Sequence, residues 1–484
     1  MKLLRLPVWH PLLLATFPIL FLYAYNIDEV AAGDLFLPLL AAIMGTILLW
    51  LALRIVTRDA GKRSLITSLL LALFFAYGHV RGFIFSDQGI TSPYINVIMV
   101  AFWGLIFLGG AFLIIRARRN FIVTTELLNL TAVVLVVISL VNIGLYQLTT
   151  PRRLPENPGT PPPVAITDHQ NLPDIYYIIL DMYARQDTMQ EVYHYDNSDF
   201  IDYLKDKGFY VASQGHSNYS HTALSLASSL NMQYVNYLAG QVTEQDQTVL
   251  LQMIADSQVS QFLRARGYRY VYVATSLDLK EVPEYGQVYN YKEAFGIRVS
   301  TFALGVLETT VLAPFSHFFG SHGAKTILNA FDVLADMPAV AGSKFVFAHI
   351  MSPHPPYLFD RNGPLDFNPL EPENYNYQTK YSEQARFISQ KTMELVNQIL
   401  SKSKTPPIIL LQGDHGTWWD QGRKLAILNA YYFPDGDYHG LHPDISPVNS
   451  FRLIFDQYFG AGYGLLPNQG YLGFLPDLTA GPEK

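Results

Sequence analysis

The feature that most constrains the fold is a series of five long apolar runs before Gln147. The runs are Pro11–Tyr25, Leu35–Leu53, Leu65–Tyr77, Ile95–Ile115 and Leu127–Leu145. A helix needs about 20 apolar residues to cross a bilayer core, and most of the runs reach that length with their flanks. The third run is the shortest and continues into His79 and Arg81. We predict a transmembrane bundle of about five helices at residues 1–148, not a cleaved signal peptide.

Charges in the loops predict the orientation of this bundle. Basic residues precede the first run and follow the second and fourth runs: Lys2, Arg5, Arg54, Arg58, Lys62, Arg63, Arg116, Arg118 and Arg119. Loops 26–34 and 82–93 contain no Lys or Arg. Because basic loops stay in the cytoplasm, the amino terminus is predicted on the cytoplasmic side of the cell membrane and the carboxyl-terminal two-thirds on the outer side. Arg152 and Arg153, after the last run, do not fit this pattern.

Charge and composition exclude several function classes. The runs contain almost no ionisable residues, which favours a membrane anchor over a transporter. The formal net charge of −7 and the lack of long basic runs argue against nucleic acid as a partner. The chain contains no cysteine, so an exported domain would rely on its hydrophobic core and not on disulfides.

A proline-rich linker at 149–173 separates the bundle from an outer domain at 174–484. Strand and helix patterns alternate in this domain, which predicts an α/β fold with a mostly parallel sheet flanked by helices. The predicted strands are Asp174–Asp181, Phe209–Ala212, Tyr268–Ala274, Phe345–Ile350, Ile408–Leu411 and Leu425–Phe433, and the predicted helices include Asp199–Lys207, Val259–Arg266 and Gln378–Ser401.

Carboxylates follow two of these apolar strands. Asp181 ends the first strand, and Asp414 and His415 come just after the strand that begins at Ile408. Open α/β sheets bind ligands beyond the carboxyl ends of their strands. A carboxylate next to an imidazole suits zinc or manganese. The alternative is an ordinary turn with a hydrogen-bonded histidine, which is the commoner use of such a pair.

A third candidate group lies at the start of a predicted helix. Apolar residues at positions 223, 226, 227 and 230 indicate a helix that begins near Thr222. The free N–H groups and dipole of a helix start favour an anion, either an alkoxide or a phosphate. The alternative is that Ser220 or Thr222 is a simple N-cap.

Together these motifs resemble the alkaline phosphatase/sulfatase superfamily, and most closely its membrane-bound lipoteichoic acid synthases and phosphoethanolamine transferases. The resemblance rests on Asp181 in Ile-Ile-Leu-Asp, Thr222 in Asn-Tyr-Ser-His-Thr and Asp414-His415 in Gln-Gly-Asp-His-Gly. It covers the topology and nearly all of residues 171–430. The resemblance implies an alkaline-phosphatase-like fold, one divalent metal (zinc, manganese or magnesium) on Asp181, Thr222, Asp414 and His415, and Thr222 as nucleophile.

His354, in Ser352-Pro353-His354-Pro355-Pro356-Tyr357, resembles the substrate-binding histidine of the family. A histidine that titrates near neutrality can protonate a leaving oxygen. The alternative is a histidine that only caps a turn between prolines.

Several residues depart from the family pattern or have no clear role in it. Thr222-Ala223-Leu224-Ser225-Leu226 lacks the Cys or Ser, Pro and Arg of formylglycine sulfatases, so sulfate-ester hydrolysis by that route is not expected. His349, His439 and His442 are candidates for a second metal, but their spacing fits poorly. Trp418 and Trp419, with Tyr431 and Tyr432, form either a pocket wall or, more commonly, core packing. Arg423 and Lys424 are candidates for binding a second phosphate.

The leading hypothesis is a membrane-anchored phosphotransferase or phosphodiesterase. It moves a headgroup from a phospholipid donor, through an intermediate on Thr222, to an envelope glycan, a lipid or water. The alternative is a non-catalytic sulfatase-like module that binds a cell-envelope glycan or a protein. Loss of metal-ligating residues would mark such a module, and the sequence retains them all.

Overall fold

The computed structural model describes residues 8–27, 30, 32–88, 95–118, 120–149, 172–244, 247–275, 279, 287–289, 301–313, 316–365 and 376–480. Residues 150–171 of the predicted linker lie outside this set. The chain divides into two compact units. The first contains the described residues up to 149 together with 301–313 and 316–319, and the second contains the rest.

Five apolar helices occupy the described part of the first 149 residues: α1 (His10–Tyr25), α2 (Phe36–Ala52), α3 (Ala60–Gln88), α4 (Ile95–Arg116) and α5 (Ile122–Thr149). Among the described residues, four stretches are long and apolar enough to cross a membrane, namely Ala32–Ile55, Ala60–Phe83, Val97–Arg116 and Ile122–Tyr146. Helix α1 has 16 residues and is shorter. The prediction of an apolar helical bundle is confirmed, with four to five candidate spans. The third run, the shortest in the sequence, lies within the longest of these helices.

The helices of this unit expose apolar side chains and bury polar ones. Leu105 and Leu113 of α4 are both 69% exposed. The buried Asn129 accepts hydrogen bonds at its Oδ1 atom from the N–H groups of Trp9 and His10, at 3.0 and 2.9 Å. His10 Nδ1 lies 2.6 Å from Ser68 Oγ on α3. Such an arrangement suits a bilayer, where lipid covers the apolar surface and polar groups need partners inside the bundle.

The remaining described helices and strands follow in chain order. They are β1 (Ile175–Leu180), α6 (Gln186–Glu191), α7 (Ser198–Asp206), β2 (Tyr210–Val211), α8 (Thr222–Asn231), α9 (Thr248–Ala255), α10 (Gln258–Arg264), β3 (Arg269–Ala274), β4 (Gln287–Tyr289), α11 (Thr301–Glu308), α12 (Ser316–Asp336), β5 (Lys344–Ile350), β6 (Phe359–Asp360), β7 (Gly363–Pro364), α13 (Tyr377–Lys402), β8 (Ile408–Gln412), β9 (Asn429–Tyr432), α14 (Pro447–Phe459), β10 (Tyr471–Leu472) and β11 (Thr479–Ala480). Helix α11 belongs to the first unit.

The main sheet of the second unit has seven strands in the order β2-β9-β8-β1-β5-β3-β4. Strands β8, β1, β5, β3 and β4 run parallel to one another, whereas β9 pairs antiparallel with both β8 and β2. Because the side chains of a strand alternate between faces, β1 contributes Ile175, Tyr177 and Ile179 to one core layer and Tyr176, Ile178 and Leu180 to the other. Helices α8, α9, α10 and α14 cover the first layer, and α7, α12 and α13 cover the second. The predicted α/β fold with a mostly parallel sheet is confirmed.

Candidate metal centre

The carboxyl ends of β1 and β8 bring three of the predicted residues together. The two strands are parallel neighbours, with Ile179 opposite Gln412, so Asp181 and the loop Gly413–His415 leave the sheet at the same edge. Gly413 allows this close approach, because a Cβ atom there would lie 2.5 Å from the carbonyl oxygen of Tyr183. Met182 turns the chain after β1 with a φ of +64°.

The oxygens of the two carboxylates differ in their partners. Asp414 Oδ1 accepts a hydrogen bond of 2.9 Å from the Met182 N–H. Asp414 Oδ2 and Asp181 Oδ1 are buried, and neither has a hydrogen-bond partner among the described residues. His415 Nε2 lies 3.7 Å from Asp181 Oδ1 and 3.8 Å from Asp414 Oδ2. Its Nδ1 lies 2.9 Å from the Gly416 carbonyl oxygen, which can only accept, so Nδ1 carries the proton.

This arrangement fits a cation. In a neutral His415 with its proton on Nδ1, the lone pair of Nε2 is free to bind a metal. Buried carboxylate oxygens without hydrogen bonds are costly in a protein interior unless a positive charge neutralises them. Two carboxylates and an imidazole are a donor set that zinc or manganese accepts. The site therefore passes a chemical test for one divalent ion.

His349 on β5 is a fourth member of the cluster. Its strand lies on the other side of β1, with His349 opposite Ile179. Ile179 and Asp181 are two residues apart and share a face of the sheet, so His349 faces the same side as Asp181. Its Nε2 lies 3.3 Å from Asp181 Oδ2, and ligand atoms of Asp181, His349 and Asp414 all lie within 4.8 Å of one another.

The charges in this cluster shift the pKa values of its members. Burial acts to raise the pKa of Asp181, but the His349 hydrogen bond and the charges of His354, His349 and His415 hold it below its usual range. Burial acts to lower the pKa of His349, but Asp181 and Asp414 outweigh burial and raise it. The two shifts have opposite causes, because the surrounding histidines lower the pKa of Asp181 and the two carboxylates raise the pKa of His349.

Thr222 begins helix α8 close to this cluster. His221, not Ser220 or Thr222, occupies the N-cap position, and its side chain makes no capping hydrogen bond. The Ser225 hydroxyl, one turn after Thr222, donates a 2.6 Å hydrogen bond to the Asp414 carbonyl. Residues three apart lie on the same side of a helix, so Thr222 faces the Asp414 loop. The Thr222 hydroxyl has no hydrogen-bond partner within the described ranges.

His354 lies in the loop after β5. Its N–H donates a 3.1 Å hydrogen bond to the Asp181 carbonyl, and its ring centre is 6.3 Å from that of His415. The Gln384 side chain on α13 donates to the carbonyl oxygens of Pro353 and His354, at 3.1 Å each. His354 Nδ1 is hydrogen-bonded to the Pro355 carbonyl, and its Nε2 has no hydrogen-bond partner among the residues that the structure describes.

Two tryptophans lie beside these histidines. Trp418 stacks on His415 at 5.8 Å and meets the His354 ring edge-to-face at 4.8 Å. Trp418 and Trp419 are 45% and 51% exposed, so core packing is the wrong interpretation for both. Tyr431 is buried and does belong to the core. Thr417 fixes this loop through a 2.5 Å hydrogen bond with Tyr193.

The remaining basic and histidine candidates separate into two groups. Arg423 is paired with Asp187, Glu191 and Asp420. Lys424 has no ion pair among the described residues, and its charge contributes to lowering the pKa of His221, after the larger effects of burial and His415. His439 and His442 each pair locally, at 2.7 Å, with Asp437 and Asp444.

Comparison with known proteins places these residues in a wider group. The family model for Sulfatase matches residues 173–444. Among solved structures, the C-terminal periplasmic domain of EcEptC from Escherichia coli, in complex with Zn, aligns with a TM-score of 0.44 and 12% identity over 66% of this chain and 96% of that one. The integral membrane lipooligosaccharide phosphoethanolamine transferase A from Neisseria meningitidis aligns with a TM-score of 0.40 and 12% identity over 91% and 94%. The lipoteichoic acid synthase LtaP from Listeria monocytogenes aligns with a TM-score of 0.39 and 11% identity over 61% and 73%. A search of curated proteins finds no match.

Proposed function

The chain belongs to the sulfatase family, and from this premise we propose that it is a membrane-anchored, metal-dependent phosphotransferase or phosphodiesterase. Its substrates are phospholipid headgroups or other phosphoesters of the cell envelope. One observation carries the proposal: within the described part of the chain, one buried carboxylate oxygen each of Asp181 and Asp414 has no hydrogen-bond partner, and both lie beside His415 and next to a helix that starts with Thr222. That combination suits phosphoryl transfer, in which an anion, a metal and a hydroxyl must meet.

Asp181, Thr222, Asp414 and His415 would hold one divalent ion of zinc, manganese or magnesium. His349 would orient Asp181 from the neighbouring strand, as hydrogen-bonded groups behind metal ligands commonly do. When bound, the ion would lower the pKa of the threonine hydroxyl and polarise a phosphoryl oxygen.

The residues of the chain then divide the reaction between them. Thr222 Oγ, after losing its proton to water, forms a bond to phosphorus while the bond from phosphorus to the leaving oxygen breaks. His354 gives the leaving oxygen a proton from Nε2. An acceptor hydroxyl or water next attacks phosphorus while the bond from phosphorus to Thr222 Oγ breaks, and His354 takes the proton of that nucleophile. Thr222 Oγ regains its proton from water, so both residues return to their starting state.

Two further side chains would bind the substrate. Lys424 has no ion pair within the described ranges and acts electrostatically on His221, the residue before Thr222, so its ammonium group suits a phosphoryl oxygen. Trp418 covers one side of both histidines and is half exposed, so it suits the group attached to the leaving or attacking oxygen. Arg423 is neutralised by three carboxylates and is not needed for this role.

The loop charges support an orientation in which the amino terminus is cytoplasmic and the sulfatase region is extracytoplasmic. Such an enzyme would meet phospholipid donors at the outer surface of the cell membrane and glycan or lipid acceptors in the envelope. A reporter that is active only in the cytoplasm, fused after Lys484, should be inactive.

A labelling experiment tests the catalytic proposal. Purified full-length protein is incubated with phospholipids that carry radiolabelled phosphate, and the label is located by peptide mapping. We expect label on Thr222 in the parent protein and none in Thr222→Ala or Asp414→Ala. Turnover without any label on Thr222 would contradict the proposed nucleophile. The absence of both turnover and label, with a range of phospholipids and metals, would favour the non-catalytic binding module.

A further inference from the structure

A short apolar segment inside the sulfatase region packs with the membrane helices. Residues 301–313, here called the insert, lie within the stretch matched by the sulfatase family model. They nevertheless belong to the compact unit formed by the first 152 residues. The insert comprises helix α11 and the residues up to Ala313, and Glu308 is its only charged residue.

Side chains of the insert are buried among three membrane helices. Phe302 and Val306, four residues apart on one face of α11, join a cluster with α1 and α3 that contains Ala15, Ile19, Tyr23, Leu71 and Phe75. The Phe302 ring meets Tyr23 edge-to-face at 6.0 Å. Ala313 is buried with Tyr77 of α3 and Met99 of α4. The insert therefore fits between α1, α3 and α4.

The backbone of α3 is hydrogen-bonded to the backbone of the insert. Gly78 N–H donates to the Thr309 carbonyl, and Val311 N–H donates to the Phe74 carbonyl, both at 3.0 Å. A Cβ atom on residue 78 would lie 2.0 Å from the Glu308 carbonyl oxygen, so only glycine permits the pairing. Non-helical backbone is stable at membrane depth only where another segment satisfies it in this way.

The contacts lie at one end of the membrane helices. Helix α3 begins at Ala60, within the basic loop, and Phe74 and Gly78 are 14 and 18 residues further along (74 − 60 and 78 − 60). At about 1.5 Å per residue, these positions are roughly 21 and 27 Å from the basic end of α3, near the far side of a bilayer core of about 30 Å. Tyr23 is likewise close to the end of α1, at the side away from Lys2 and Arg5.

We propose that the insert is a membrane-embedded anchor, inserted from the side opposite the basic loops and surrounded in part by lipid. It attaches the sulfatase region to the bilayer at a second place in the sequence, besides the linker that follows α5. Leu312 is 40% exposed on the insert, and an exposed leucine beside Val311 and Ala313 matches a lipid-facing position. The anchor requires no catalytic activity, so its test does not depend on the proposed reaction.

The absence of cysteine makes site-specific spin labelling direct. Leu312→Cys in the full-length protein, reconstituted into phospholipid vesicles, receives a nitroxide. The matched control is Leu465→Cys, because Leu465 in the second unit is 44% exposed, nearly the same as Leu312. For each label, the collision rate with oxygen, which dissolves in lipid, is divided by the collision rate with a water-soluble nickel chelate. We expect this oxygen-to-nickel ratio to be at least about fivefold higher at 312 than at 465. Equal accessibility ratios at the two positions would overturn the proposal.

A second pair of variants tests the backbone pairing. Gly78→Ala puts a methyl group against the Glu308 carbonyl, whereas Gly82→Ala, one turn further along α3, meets nothing within 4 Å. We expect the oxygen-to-nickel ratio at 312 to fall toward the value at 465 in Gly78→Ala and to stay unchanged in Gly82→Ala. The same ratio in both variants would show that the pairing at Gly78 does not hold the insert. The 312 and 465 labels in the parent background remain decisive if Gly78→Ala does not fold.

Discussion

The two ends of the β1–β5 strand pair each carry a carboxylate, partly buried at one end and buried at the other, and the partners of these carboxylates differ. At the first end, Asp174 precedes β1, and its Oδ2 lies 2.5 Å from the ammonium of Lys344, the first residue of β5. At the other end, Asp181 follows β1 and meets His349 of the same β5 strand. Asp174 is neutralised by one lysine, whereas Asp181 Oδ1 and Asp414 Oδ2 have no hydrogen-bond partner in the described ranges.

The comparison shows how one sheet separates structural from functional charge. At the amino ends of the strands, the ion pair between Asp174 and Lys344 neutralises both charges without a further ligand. At the carboxyl ends, where α/β sheets bind ligands, the chain gathers two acids and two histidines. One oxygen of each acid has no hydrogen-bond partner among the described residues. A carboxylate that serves only the fold has its partner within the chain. A carboxylate that is kept buried without one indicates a ligand.

We call the carboxyl ends of the strands, with Asp181 and Asp414, the functional end, and the amino ends, with Asp174, the structural end. The largest expected effect concerns Thr222, at the functional end. Thr222→Ala removes the proposed nucleophile and should lower turnover by at least about a thousandfold, as loss of a catalytic nucleophile does elsewhere. Because His221 and not Thr222 is at the N-cap position, the unfolding temperature should hardly change. Thr222→Ser keeps a hydroxyl and should retain part of the activity. Asp174→Asn, at the structural end, should turn over normally, and equal losses in both variants would break the comparison.

The next effect is the response to a metal chelator. We expect the parent protein to carry about one equivalent of metal, and free metal at about 100-fold above Kd adds about 2.7 kcal/mol to the free energy of unfolding. A chelator should therefore lower the unfolding temperature of the parent and of Asp174→Asn. Asp181→Asn and Asp414→Ala lose a ligand and should neither hold the metal nor respond. Metal content that stays at the parental value in both site variants would contradict the proposed centre.

A smaller effect tests how far the functional end extends past β5. His354→Ala should slow transfer from a glycerol-type ester by about a hundredfold, because an alkoxide needs a proton to leave. A nitrophenyl ester releases a stable anion and should lose far less. His439→Ala is the control, since His439 is paired with Asp437 in its own turn. An equal loss with both esters would exclude His354 as the proton donor.

Much of this arrangement could be predicted from the sequence, and the reasons for the rest are physical. Asp181, Asp414 and His415 follow apolar strands, so the parallel sheet brings them together without further information. His349 is one of three histidines with a spacing that fits a metal site poorly, and only the strand register, which puts it opposite Ile179, shows that it lies beside Asp181. The exposure of Trp418 depends on which residues pack around it in the folded protein, and the sequence alone does not show these tertiary contacts.

The contacts of the insert cannot be predicted from the sequence for a similar reason. Its apolar pattern over residues 301–313 is as typical of a core helix as of a membrane segment. Its partners, among them Tyr23, Phe74 and Gly78, are more than 200 residues away in the chain (301 − 78 = 223). The paired backbone at Gly78 and the packing of Phe302 and Val306 against α1 and α3 distinguish the two interpretations.

The smallest expected effect is the pH dependence of the structural end. Burial raises the pKa of Asp174 above its usual 3.8, and the hydrogen bond and charge of Lys344 only partly offset it. A carboxyl group whose pKa is raised by folding contributes stability below its unfolded pKa and loses that contribution as the pH rises through its folded pKa. The free energy of unfolding of the parent should therefore fall relative to that of Asp174→Asn as the pH rises from about 3.8. Denaturant titrations of both proteins across this range measure the difference.

Asp437→Asn provides a control of opposite sign for this measurement. The hydrogen bond from His439 lowers the pKa of Asp437, so its contribution to stability is present above the unfolded pKa and is lost as the pH falls. Relative to Asp437→Asn, the parent should therefore gain stability as the pH rises. If the parent instead gains stability relative to Asp174→Asn as the pH rises, as it does relative to Asp437→Asn, the Lys344 ion pair outweighs the burial of Asp174. The structural end would then be stabilised by its charges, and the contrast with the functional end would rest on the missing partners of Asp181 and Asp414 alone.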